Sequence, residues 1–97
     1  MNLEHFPVRE KTVRAYRVQG DTILFRYIDR YRTNEVGGFI VALCDGGHSG
    51  ADIVQALVDR YEIDRDRAVS VTTRFLQDMR DKGFLRLQVA AGDAGAS

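Results

Sequence analysis

Cys44, His48 and Ser49 are the residues whose types and spacing come nearest to reactive chemistry in this sequence. Cys44 and His48 are four apart, a spacing that on one helix face would suit two metal ligands. Asp45-Gly46-Gly47 lies between them, however, and glycine in the left-handed conformation ends helices. His5 is far off in sequence and has no second ligand at metal spacing, so no metal and no cofactor are expected. Gly46-Gly47 follows a helical pattern rather than a strand and has no lysine placed after it, unlike a phosphate loop. Ser49 stands at a helix start and reads as a cap rather than a nucleophile. Cys44, with no base beside it, reads as a small core filler. No catalytic residue is assigned, and the chain is not read as an enzyme.

The elements that would position these residues centre on Thr33 to Ile53. Asn34 is a natural N-cap, and Val36, Phe39, Ile40 and Leu43 follow at the i, i+3, i+4, i+7 spacing of an amphipathic helix running from about Asn34 to Cys44. After the glycine turn, Ser49 opens a second helix, with Asp52 three residues on where a carboxylate favours the helix N-terminus. That helix reaches about Tyr61, with Ile53, Leu57 and Tyr61 in one row and Val54 and Val58 in the next. Asp64 caps a third helix to about Asp81, striped by Ala68, Val71, Thr72, Phe75, Leu76 and Met79 and stopped at Lys82-Gly83.

Upstream, Val13 to Val18 and Thr22 to Tyr27 are rich in β-branched and aromatic residues around a Gln19-Gly20-Asp21 turn, which predicts a hairpin. Ile23, Phe25 and Tyr27 would form its apolar face. A reversal near Ile28-Asp29 leads into a short third strand, Arg30 to Thr33. Residues 1–12 have no clear period and read as an extended lead-in; Phe84 to Leu87 reads as a short extended return. The expected fold is α+β and winged helix-turn-helix-like, a three-stranded N-terminal antiparallel sheet followed by three helices. It would occupy residues 1–89 as one domain, with a disordered tail at 90–97.

Ninety-seven residues suffice for one modest core, and 44% hydrophobic with 29% charged residues is ordinary for a soluble domain. There is neither a membrane-length apolar run nor a signal-like N-terminus, and the single cysteine fits a reducing compartment, so a cytoplasmic location is expected. Net charge is zero but uneven: residues 1–33 carry a net +3, residues 34–64 a net −5 and residues 65–97 a net +2.

Two binding functions compete. A winged-helix transcriptional regulator would use Arg65, Arg67, Arg74 and Arg80 of the third helix on DNA, but Asp64, Asp66, Asp78 and Asp81 share that helix and repel phosphate. A peptide binder would use the third strand instead, since an edge strand offers unpaired N–H and C=O groups to which an extended peptide can add. Arg30 and Arg32 would then point to one face, as ligands or as guards against aggregation. Tyr31 and Thr33 would point to the other, Tyr31 either into the binding site or into the core. The same edge could pair two copies of the chain in a homodimer.

Asn34, Gly37, Ile40, Leu43, then Cys44-Asp45-Gly46, Ser49 and Ile53, with Leu57, Tyr61, Phe75-Leu76 and Gly83-Phe84-Leu85 downstream, give the chain a further signature. Over about residues 7 to 87 it resembles the PqqD-like family of pyrroloquinoline quinone biosynthesis, the stand-alone form of the RiPP recognition element. The resemblance implies a non-catalytic chaperone that binds the leader of a ribosomally made, post-translationally modified precursor peptide. It would present that peptide to a radical S-adenosylmethionine maturase or a leader peptidase, without nucleic acid or membrane. It further implies that the leader adds to the third strand and lies in the groove toward the third helix. Carried onto this chain, those positions are Arg30, Tyr31, Arg32 and Thr33 with the Val71 border of the third helix, Arg67, Val71, Arg74, Phe75 and Asp78; the opposite border is Val69, Thr73 and Arg80. The chain departs from the family in having Thr33 where a leucine usually precedes the asparagine, a second helix glycine at Gly38, and a shorter connection into the third strand.

Overall fold

The computed structural model of the chain describes residues 3–90. Residues 1–2 and 91–97 lie outside the described residues, and with them all of the expected tail beyond Ala90. The order is β1 (Phe6–Arg9), β2 (Arg14–Val18), β3 (Asp21–Arg26), β4 (Asp29–Thr33), α1 (Glu35–Ala42), α2 (Gly50–Tyr61), α3 (Arg65–Asp81) and β5 (Leu85–Gln88). The three-stranded antiparallel sheet has the order β2-β3-β4, and three helices follow it, as the sequence predicts.

Both hairpins close through two-residue turns. Val18 pairs with Asp21 across Gln19-Gly20, where φ is +53° and +91°, the positive pair whose twist matches that of the strands. Arg26 pairs with Asp29 across Tyr27-Ile28, one residue earlier than expected. Tyr27 holds φ +57° without glycine or asparagine to ease it.

The helices start where the caps place them. Asn34 accepts from the Gly37 amide at 2.9 Å, and Asp64 accepts from the Arg67 amide at 2.8 Å. Ser49 and Asp52 form a reciprocal capping box, each side chain accepting from the other's backbone amide. Gly83, at φ +81°, ends the chain's third helix with its amide on the Arg80 carbonyl. Ile53, Leu57, Leu76 and Met79 from α2 and α3 are fully buried with Ile40 of α1 and Leu24 of β3. Each such side chain contributes about 1.5–3 kcal/mol.

Three expectations change. The N-terminal lead-in contains a strand: β1 pairs antiparallel with β5, Phe6 opposite Gln88 and Arg9 opposite Leu85, as a separate two-stranded ribbon. A four-residue strand whose partner lies at the far end of the chain leaves no local period to read. In α1 the buried row is Gly37, Ile40 and Val41, continued by Cys44, while Val36, Phe39 and Leu43 are half-buried. And β3 buries Thr22 and Leu24, leaving Ile23 and Phe25 half-covered on the outer face and Tyr27 71% exposed.

The last two changes share one cause, the close approach of α1 to the sheet. Thr22 and Thr33 face each other across β3 and β4. A Cβ on Gly37 would collide with the Thr33 side chain, and one on Gly38 with that of Thr22. Two glycines on the helix therefore sit over two small residues on the sheet. A helix seated this closely needs threonines beneath it, not isoleucine and phenylalanine, and this sets which face of β3 turns inward. The helix-propensity cost of about 1 kcal/mol for Gly38 accompanies that contact.

Candidate peptide-binding site

β4 is an edge strand, and its hairpin decides which of its backbone groups are free. A two-residue turn makes the closing pair, Arg26 with Asp29, a hydrogen-bonded one, and antiparallel pairs then alternate. Tyr31 and Thr33 thus exchange bonds with Leu24 and Thr22, while the N–H and C=O groups of Arg30 and Arg32 point away from the sheet. The register of the first hairpin agrees: there Ile23 and Phe25 bond toward β2 and so cannot bond toward β4. The free edge offers donors and acceptors at every second residue, the repeat of an extended chain.

Side chains alternate in the same way. Arg30 and Arg32 are exposed on the outer face, and Arg32 Nε donates to Asp21 Oδ2 at 2.9 Å. Tyr31 and Thr33 lie on the inner face, Tyr31 half-buried and Thr33 buried.

α3 approaches this inner face through Phe75. Phe75 Cε1 lies 3.0 Å from where a Gly37 Cβ would be, beside the Thr33 side chain, so Phe75 stands at the Thr33 end of β4. At the other end the Tyr31 ring meets Phe84 at 6.5 Å between centroids, and Lys82 Nζ lies 5.5 Å over the Tyr31 ring. Lys82 is bound by Asp78 at 2.9 Å. That hydrogen bond, together with the Asp78 charge, raises the Lys82 pKa, so the ammonium stays charged at neutral pH. Val71 is half-buried on the same flank. Arg26 of β3 ties the α3–β5 turn to the sheet by donating to the Gly83 carbonyl at 2.8 Å.

Of the nine residues carried from the sequence, Phe75 lies near Thr33, and Asp78 reaches Tyr31 through Lys82; Val71 is half-buried one turn before Phe75, and Arg30 and Arg32 are exposed on β4. Arg67 and Arg74 are exposed on α3 and reach β4 by no hydrogen bond or ion pair. Arg74 instead borders a shallow depression with Thr73, Gln77 and Asp81. The sequence reading passed over Lys82, Phe84 and Arg26. Lys82 was legible, since 71, 75, 78 and 82 continue one helical row. Phe84 and Arg26 act across the fold and carry no local signal.

The reactive-looking residues are placed apart. Cys44 is buried, its thiol donates to the Ile40 carbonyl, and desolvation with the nearby Asp45 charge pushes its pKa up to about 12. The thiol is therefore uncharged at neutral pH. Expected result: Cys44 resists a thiol reagent at pH 8 in the native protein and reacts within minutes in denaturant. Rapid native labelling would contradict its burial. His48 sits on the turn, 3.0 Å from Asp45 Oδ1, which also accepts from the Gly47 amide. Among the described residues no three His, Cys, Asp or Glu side chains gather as a metal site.

Three comparisons with known proteins bear on this geometry. The family model described as "Coenzyme PQQ synthesis protein D (PqqD)" matches residues 22–85, from β3 into β5. Two relatives described as "PqqA binding protein" come from Rhodopseudomonas palustris. The strain TIE-1 protein is 42% identical over 52 residues, 54% of this chain and 51% of the relative. The strain HaA2 protein is 44% identical over 46 residues, 47% of this chain and 45% of the relative. The chain thus spans about half the length of the curated relatives it matches. A solved structure, "TbiB1 in Complex with the TbiA(beta) Leader Peptide", superposes with a TM-score of 0.74 at 21% identity. It covers 81% of this chain and 94% of that one, a likeness of fold.

Proposed function

The chain belongs to the coenzyme PQQ synthesis protein D family, and we propose that it binds the leader of a ribosomally made precursor peptide by strand addition at β4 and presents that peptide to a modifying enzyme. The reading is carried by the free β4 edge, where the amides of Arg30 and Arg32 point away from the sheet, with Phe75 of α3 packed near Thr33 at one end of the strand. Main-chain bonds to Arg30 and Arg32 supply affinity without regard to sequence, and inward side chains of the leader reach Tyr31, Val71 and Phe75 for selectivity. Relatives named for binding PqqA, and a neighbour of the same fold solved with a leader peptide, support it. The partner enzyme is a radical S-adenosylmethionine maturase or a leader peptidase, and the site of action is the cytoplasm. No helix of the described residues is long and apolar enough to cross a membrane.

Self-association through β4 is opposed by charge. Antiparallel pairing of two copies about Tyr31 sets Arg30 against Arg32, and pairing about either arginine sets it against itself; like charges directly opposite are destabilising. DNA binding is opposed by α3, where Arg74 lies among Asp78 and Asp81.

The test is calorimetric titration with the leader encoded beside the gene. A micromolar complex corresponds to about −8 kcal/mol. Phe75→Ala removes a half-buried ring from the groove and should weaken binding about tenfold or more, the ~1.5 kcal/mol lower bound for one apolar anchor. Tyr31→Ala should act similarly. Unchanged affinity in both folded variants would place the leader elsewhere.

A further inference from the structure

A further concavity lies away from β4. A cleft of about 640 Å³ opens at the opposite edge of the sheet, between β2, the 9–13 segment and the exposed side of α1. We infer that this cleft is a second docking groove, which takes an extended acidic segment of a partner polypeptide by strand addition to β2. The inference stands on residues other than those used for the leader.

The backbone comes first. Val18 and Asp21 close the first hairpin, so Tyr16 and Arg14 are the hydrogen-bonded partners of Ile23 and Phe25. The N–H and C=O groups of Ala15 and Arg17 therefore face away from β3. No other backbone group among the described residues bonds to them. β2 thus offers the same two-residue repeat as β4.

Next to that edge the cleft has an apolar side built from Ala15, Phe39 and Tyr61. Phe39 and Tyr61 meet edge to face at 5.8 Å, and the phenol oxygen of Tyr61 has no hydrogen-bond partner. α1 sits over Thr22 and Thr33, and this cleft opens between it and β2.

Charge selects the occupant. Arg9, Lys11, Arg17 and Arg60 line the cleft. Of its three carboxylates, Glu10 is taken by Arg86 and Asp45 by His48 and the Gly47 amide, leaving Glu35. Arg60 lies 5.7 Å over both the Phe39 and the Tyr61 ring, a cation held at the apolar wall. Four cations against one uncommitted acid favour a strand whose side chains alternate apolar and acidic.

The probe is a capped ten-residue peptide alternating valine and glutamate, titrated into the labelled full chain while amide NMR shifts are recorded. Expected are shifts at Ala15, Arg17, Phe39 and Tyr61, retained in Arg32→Pro, in which the β4 edge is blocked. The matching valine–lysine peptide should bind at least tenfold more weakly. Arg17→Pro should abolish the shifts while leaving leader binding at β4 intact; that retained binding reports its folding. Lys11→Glu, which leaves the backbone alone, should weaken the acidic peptide about tenfold. The inference is overturned if the shifts fall only on β4 and α3 and vanish in Arg32→Pro, or if the lysine peptide binds equally well. It is overturned too if these amides shift with protein concentration alone, which would assign the edge to a second copy. Loss of leader binding in Arg32→Pro tests the β4 reading separately.

Discussion

Arg32→Pro is expected to eliminate leader binding while leaving the protein folded. The Arg32 amide points out of the sheet, so proline removes no bond to β3, and an outward-facing edge position is where strands tolerate proline. Its neighbour Tyr31 is already extended, as a residue before proline must be. The exposed Arg32–Asp21 pair is lost, at a cost of about 0–1 kcal/mol. The incoming strand loses a donor, and an orphaned carbonyl costs about 1–3 kcal/mol. The ring also occupies the space in which the strand would lie. Affinity should fall about thirtyfold or more, the equivalent of ~2 kcal/mol. Arg32→Ala, which keeps the amide, should cost only a fewfold, separating main chain from charge. Tyr31→Pro is the counter-control: its amide is spent on β3, and that variant should lose the sheet. If Arg32→Pro were folded and bound leader normally, strand addition at this edge would be wrong.

Most of this fold was readable because its signals are local. Asn34, Ser49 with Asp52, and Asp64 each mark a helix start through a side chain that reaches three residues on, and all three caps form. The Gln19-Gly20 turn and the Lys82-Gly83 stop are equally local. What escaped depends on partners remote in sequence. β1 exists because β5 returns to it nearly eighty residues later, and the inward face of β3 is decided by a helix that has yet to be built. Counting apolar residues favoured Ile23, Phe25 and Tyr27; packing favoured Thr22 and Leu24 because glycines lie above them. The site divides likewise. The edge position of β4 and its alternation followed from strand order, whereas Phe84, Arg26 and the Lys82–Tyr31 contact are products of the closed fold.

Those two glycines give the sharpest test of how the groove is built. In an exposed helix, Gly37→Ala would stabilise by up to about 1 kcal/mol. Here it should destabilise, because the new methyl overlaps the Thr33 side chain and approaches the Phe75 ring at 3.0 Å. Thr33 Cβ is rigid backbone-attached carbon, so rotating its hydroxyl cannot clear the overlap and α1 must lift. Overpacking of this kind costs about 1–3 kcal/mol. A net loss near 2 kcal/mol would lower the melting temperature by about 10 °C in a domain of this size. Gly38→Ala should do the same through Thr22, but with a different consequence for binding. Gly37 presses on Thr33 and Phe75, so lifting the helix there opens the β4 groove; Gly38 presses on Thr22 of the central strand, away from that groove. Gly37→Ala should therefore weaken both stability and leader affinity, and Gly38→Ala mainly stability. Thr33→Ala placed in the Gly37→Ala background should recover part of the loss, with a coupling energy of about 0.5–3 kcal/mol for residues in contact. Simple additivity in that double variant would show that the glycine is not there for the threonine beneath it, and the close seating of α1 would need another cause.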